Sequence, residues 1–213
     1  MPQATEIGIY VAVILLSISV HEYAHAKIAD MSGDDTPRLM GRVTLVPWKH
    51  WDPVGTVMIL ITAIAGVGIG WGKPVTVNPN RMRNPRWDHF WSVAAGPLSN
   101  LLIAGFFGAV LRFLLPLGPT VLNDGLLSFL LIAVYSNIGL FLFNLMPLGP
   151  LDGHWLVGAF LPDGVRERWY MFNRTVGGLV LLALVFFRTD QFDPLGQMFG
   201  PIREAVFRII VGA

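Results

Sequence analysis

Long apolar runs alternate with short polar connectors along the whole chain. The runs are Ile7–Ala29, Val54–Trp71, Phe90–Leu115 and Leu126–Met146. Each meets or approaches the roughly 20 residues that a helix needs to cross a bilayer. A fifth, Val176–Phe187, is shorter and reaches that length only if Trp169–Asn173 and Arg174 join it at the interface. The pattern predicts an all-α integral membrane protein, a polytopic bundle of about five or six transmembrane or re-entrant helices. It reads as one membrane-embedded domain over 1–213, with a core at about 7–160 and a C-terminal span and interfacial helix at 165–213.

The connectors add detail. Segment 30–53 carries Arg38, Arg42 and Lys49, and segment 72–89 carries Lys73, Arg81, Arg83 and Arg86. A simple crossing between them would put positive charge on both faces, so Val54–Trp71 either crosses against the positive-inside bias or re-enters and returns. Gly66, Gly68, Gly70 and Gly72 crowd its end, as in a broken or tightly packed helix. Arg42–Val46 and Lys73–Val77 are rich in β-branched residues and bounded by Pro or Gly, the composition of short strands as much as of loops. In the tail, Ile202, Val206, Ile209 and Ile210 fall at helical spacing apart from Arg203, Glu204 and Arg208, which predicts an interfacial helix over Pro201–Val211.

Composition agrees with a lipid environment. The chain is 54% hydrophobic and 14% charged, whereas an average soluble domain is about 25% charged. A net charge of +1, with basic residues beside apolar spans and no basic stripe, excludes a nucleic-acid partner. With no cysteine, any metal must be held by His, Asp or Glu. No basic residue precedes Ile7–Val20, and His21 and Glu22 stand where a cleavable signal would be neutral, so the first run is read as retained.

The first run ends in chemistry. His21-Glu22-Tyr23-Ala24-His25 is an H-E-x-x-H sequence, which puts two imidazoles at i and i+4 on one helix face with a carboxylate between them. Three ionisable groups in five residues would be a costly way merely to tie membrane helices together, at about 2.5–3.5 kcal/mol each. A catalytic metal usually takes three protein ligands and leaves one position open. Glu6, Glu167 and Glu204 lie near span ends or in loops, whereas Asp152 follows Pro147, Gly149 and Pro150 in an apolar stretch. Prolines so placed open the backbone there and let Asp152 point inward.

With those residues in place, the chain resembles the site-2 protease family of intramembrane zinc metalloproteases. The resemblance rests on His21-Glu22-x-x-His25, on Gly96-Pro97-Leu98-Ser99-Asn100, and on Asn144-Leu-Met-Pro147-Leu-Gly-Pro-Leu151-Asp152-Gly153, in that order. It covers about Ile7 to Phe160 and is that of a minimal member without appended soluble domains. It implies one Zn²⁺ per chain on His21, His25 and Asp152, with Glu22 activating the water. Asn144 would hold the substrate or its developing oxyanion, and Asn100 would bind substrate or pack helices. Transmembrane proteins would be the substrates, cut in or near their spans, with the bilayer as the other partner. If Arg42–Val46 or Lys73–Val77 offers a free edge, an unwound substrate could add to it as a strand.

Other residues carry less. His50 and His89 read as interfacial and solvated, His154 as packing or as support for a ligand, and Asp34, Asp35, Asp52 and Asp163 as solvated loop charges. Two rival classes use the same residues: a transporter or ion path lined by the polar groups, and a silent relative that only retains membrane clients. An intact Glu22 argues against the second.

Overall fold

In the computed structural model, which describes residues 4–66, 70–187 and 192–212, the chain is a helical bundle with no strand among the described residues. The long helices are α1 (Ala4–Met31), α3 (Trp87–Leu114) and α4 (Asp124–Asn144), with the shorter α2 (Pro53–Ala65) between the first two. After α4 come α5 (Asp152–Phe160) and α6 (Asp163–Phe172). A π-helical turn, Asn173–Gly177, joins α6 to α7 (Gly178–Phe186), and α8 (Pro194–Val211) ends the bundle. Four helical stretches are long and apolar enough to cross a membrane: Ala4–Met31, Trp87–Leu117, Asp124–Asn144 and Asp163–Phe186. Leu102, Phe106 and Phe113 on α3 are 74%, 65% and 72% exposed, a cost that lipid removes and water would not.

Local chemistry sets the helix ends. Asn123 caps α4 by accepting the Leu126 amide at 3.0 Å, and Asp52 caps α2 by accepting the Gly55 amide at 2.8 Å, with Pro53 in the first turn. Gly66, at φ 71°, stops α2 with a left-handed residue. The apolar run Val54–Trp71 therefore yields only 13 helical residues, about 20 Å, which is too short to cross. Trp51 and Gly72 form an isolated antiparallel bridge, and the Lys73 amide donates to the His50 carbonyl at 2.7 Å. The two ends of the excursion thus meet, and of the two paths open to this run it takes the re-entrant one. Gly68 lies outside the described residues.

The β-branched stretches are loops. Some of their backbone groups bond to side chains: the Thr44 carbonyl accepts from the His50 ring at 2.7 Å, the Lys73 carbonyl accepts from Arg42, and the Val75 amide donates to Glu22.

Helices α1 and α3 run antiparallel, as Ser92 meets His25 while Asn100 meets His21, and α4 packs against both. The tail helix is longer than the interfacial segment expected at Pro201–Val211. It lies along α3 and α4, with Phe199, Val206, Phe207 and Ile210 against Ala104, Val134, Ile138 and Leu142.

Candidate active site

Helix α1 carries His21, Glu22 and His25 into the middle of the bundle, and the loop after α4 returns Asp152 to meet them. His21 Nε2 and His25 Nε2 are 3.0 Å apart, and Asp152 Oδ2 lies 3.1 Å from the first and 3.4 Å from the second. The other nitrogen of each ring is engaged. His21 Nδ1 donates to Asn100 Oδ1 at 2.7 Å, and His25 Nδ1 donates to the Ser92 carbonyl at 2.8 Å. In neutral rings this leaves both Nε2 atoms as acceptors. Three acceptors therefore converge with no proton between them, and Asp152 Oδ2 is buried without a hydrogen-bond partner.

Such a set is short of a cation. Tetrahedral zinc, with bonds of about 2.0–2.1 Å, holds its ligand atoms about 3.3 Å apart, close to the three separations here. The residues present fit the metal, and their Nδ1 partners orient the rings toward it.

Two glycines make the approach possible. A methyl on Gly96 would collide with both imidazoles, so the Gly-Pro-x-x-Asn element brings α3 against the histidines. A methyl on Gly153 would strike the Leu145 and Met146 carbonyls, so the glycine after Asp152 lets α5 nest against the loop that precedes it. That loop, opened by Pro147 and Pro150, is held by Asn173 in the π-helical turn. Asn173 Oδ1 accepts the Gly149 amide at 2.6 Å.

Beside these three acceptors lies a cavity of about 740 Å³, lined by Glu22, Val75, His89, Asn144 and Asp152 among others. Glu22 Oε2 accepts the Val75 amide at 2.9 Å, and Arg42 Nη2, buried, stands 4.0 Å from the same oxygen. Of the two β-branched stretches, only Lys73–Val77 faces the cavity. Asn144 Nδ2 donates to the Leu140 carbonyl of its own helix at 2.9 Å.

Against this geometry stand the comparisons with known proteins. YwhC of Bacillus subtilis, named as a zinc metalloprotease, is 41% identical over 202 residues, 93% of this chain and 89% of YwhC. The chain belongs to the site-2 protease family. Rip2 of Mycobacterium tuberculosis, also named as a zinc metalloprotease, is 32% identical over 69% of the chain. Rip2 of Mycolicibacterium smegmatis is 28% identical over 73%. The chain spans 56% and 58% of those two relatives' lengths. No family profile matches the chain, and no solved structure matches it.

Asn100 and His154 each take up a packing position, one of the two readings open to them, whereas His50, Asp34 and His89 stand elsewhere than the sequence suggests. Asn100 stands behind His21 and outside the cavity lining, where its Nδ2 donates to Asn137 Oδ1 at 3.0 Å. His50, expected at an interface, is fully buried, and burial pushes its pKa below the ordinary histidine value. Asp34, expected to be solvated, is fully buried because it accepts the Thr36 and Asn78 amides at 3.1 and 2.6 Å. His89, expected in the headgroup region, lines the cavity. His154 packs on Trp155 and donates to the Leu151 carbonyl at 2.5 Å. Sequence reasoning missed Ser92, Asn137 and Asn173. The one available signal was that Asn137 is an amide inside an apolar span.

The buried chain His21–Asn100–Asn137 makes a prediction. Asn100→Ala removes the acceptor that fixes the His21 ring and should weaken zinc binding about 10- to 100-fold. It should also cost about 1–3 kcal/mol for the amide stranded on Asn137. Competition against a chromophoric chelator measures the first, and unchanged affinity would show that this bond does not orient the ring.

Proposed function

We propose that the protein is an intramembrane zinc endopeptidase, holding one Zn²⁺ per chain, that hydrolyses peptide bonds in or near transmembrane segments of other membrane proteins. The observation that carries this reading is the meeting of His21 Nε2, His25 Nε2 and Asp152 Oδ2 at 3.0–3.4 Å beside a cavity that Glu22 lines. These three residues would hold the metal, which when bound supplies Lewis acidity and a water that ionises near neutral pH.

The chain's own residues do the rest. Glu22, whose Oε2 is fixed by the Val75 amide, takes the proton of the attacking water and returns it to the leaving amine. A helical substrate hides its carbonyls in hydrogen bonds to the fourth residue on, so it must unwind before attack. Lys73–Val77 runs along the cavity and offers an unwound segment a backbone neighbour. The exposed apolar residues of α3 and the four helical stretches long and apolar enough to cross a membrane support a lipid setting for this activity, where such substrates lie.

An ion path would need polar groups continuing away from the site. The chain of amides from His21 instead ends where Asn137 Nδ2 donates to the Ala133 carbonyl of its own helix at 2.9 Å.

The test uses detergent-purified protein and a panel of single-span reporter proteins labelled at both ends. The expected result is one cut in or near the span, abolished by dialysis against EDTA and restored by about one equivalent of Zn²⁺. If zinc-loaded protein cuts none of the panel, or if cutting survives full chelation, the reading is wrong.

A further inference from the structure

One face of α3 is devoted to the site. His89, Ser92, Gly96 and Asn100 fall at i, i+3, i+7 and i+11, a single stripe along the helix. Three of the four touch the ligand imidazoles. The Ser92 carbonyl accepts from His25, Gly96 packs against both rings, and Asn100 accepts from His21. His89 continues the stripe one turn beyond Ser92, and it lines the cavity itself.

Its neighbour in the cavity lining is Trp155, one turn after Asp152 on α5. The two rings meet edge to face, with centroids 5.3 Å apart and planes at 80°. His89 thus stands one turn beyond Ser92 on α3, and Trp155 one turn beyond Asp152 on α5, both lining the cavity that Glu22 and Asp152 share. Each of the other four histidines has a ring nitrogen in a hydrogen bond. Among the described residues, neither ring nitrogen of His89 has such a partner. Meanwhile the Asn144 amide, which the family resemblance would aim at the oxyanion, is turned back on Leu140.

We propose that His89 is a catalytic residue whose ring N–H donates a hydrogen bond to the carbonyl oxygen of the scissile peptide as that oxygen gains charge. The assignment rests on the protease reading above. In the step, the water oxygen bonds to the carbonyl carbon, the carbonyl π pair moves onto its oxygen, and the water proton passes to Glu22. The oxyanion then re-forms the carbonyl as the C–N bond breaks, and Glu22 gives its proton to the departing nitrogen. His89 transfers no proton. Its bond strengthens as charge develops, so it acts on kcat more than on KM.

Two substitutions separate donation from packing. His89→Phe keeps an aromatic ring against Trp155 and removes the N–H, whereas His89→Gln keeps an N–H donor and removes the ring. With the single-span reporter cut by wild type, His89→Phe should lower kcat about 100-fold, and His89→Gln should stay within about tenfold of wild type. KM should move by less than about threefold in both, and zinc content should stay at about one per chain. The proposal is overturned if His89→Phe cleaves at the wild-type rate, if His89→Gln is as slow as His89→Phe, or if the loss lies in KM or in zinc. In each of those cases Glu22→Gln, inactive beside an active wild type, shows that the protease reading still stands. Failure of wild type to cut would bring down that reading and this assignment together.

Discussion

Glu22→Gln should keep its zinc and its fold and lose peptide hydrolysis by about 10³-fold or more. The two side chains have the same shape, and the amide oxygen of Gln can still accept the Val75 amide that Glu22 Oε2 now holds at 2.9 Å. The loop Lys73–Val77 therefore stays in place. The variant loses the ability to take a proton from water, and general-base catalysis is worth about 10²–10⁴-fold on its own. The loss should rise toward the upper end because the same group must later protonate the amine. Single-turnover cleavage of the reporter, run beside zinc analysis and thermal unfolding, separates the effects. Activity within about tenfold of wild type, with zinc bound, would remove Glu22 from the role of base.

Asp152→Ala should fail earlier in the sequence of events, at metal binding. His21 and His25 lie four residues apart on one helix, but Asp152 is 127 positions beyond His25, and the structure brings its Oδ2 within 3.4 Å of both Nε2 atoms. Two imidazoles alone leave a zinc ion under-coordinated. Dialysed variant should retain less than about a tenth of an equivalent, and cleavage should be undetectable. A second readout needs no substrate. Zinc at 100 times its dissociation constant should stabilise wild type by about 2.7 kcal/mol, because it binds only the folded site, and should leave the variant's unfolding temperature unchanged. Stoichiometric zinc in Asp152→Ala would mean that another group completes the site.

The parts of the site legible in the sequence are those that repeat along one element or break its pattern. His21 and His25 stand out because i and i+4 on an apolar helix put two imidazoles on one face, and Asp152 because prolines open the chain before it. Ser92, Asn137 and Asn173 carry no such spacing. Each is a single polar residue whose partner lies on another helix or a distant loop, so only the packing of α3, α4 and the π-helical turn reveals what it does. His89 was misread for the same reason: its neighbours in sequence suggest an interface, and its neighbours in space are the cavity and Trp155. The two β-branched stretches show the limit of local propensity. Strand composition without a partner strand gives a loop, in which Glu22, His50 and Arg42 each engage one backbone group of the two stretches.

The re-entrant path of α2 decides the polarity of everything after it. A crossing inverts the direction of the next helix, and an excursion that returns to its starting face does not. Had α2 crossed, α3 would have begun at the far side and run parallel to α1, and Ser92 could not have met His25 while Asn100 met His21. A helix of only 13 residues, ended by a left-handed glycine, thus goes with the parity on which the meeting of His21, His25 and Asp152 depends. It also brings the two connectors that flank α2 together, so that the exposed Arg38, Lys49, Lys73, Arg81, Arg83 and Arg86 belong to one end of the bundle, the kind of asymmetry by which a polytopic chain is oriented as it is inserted.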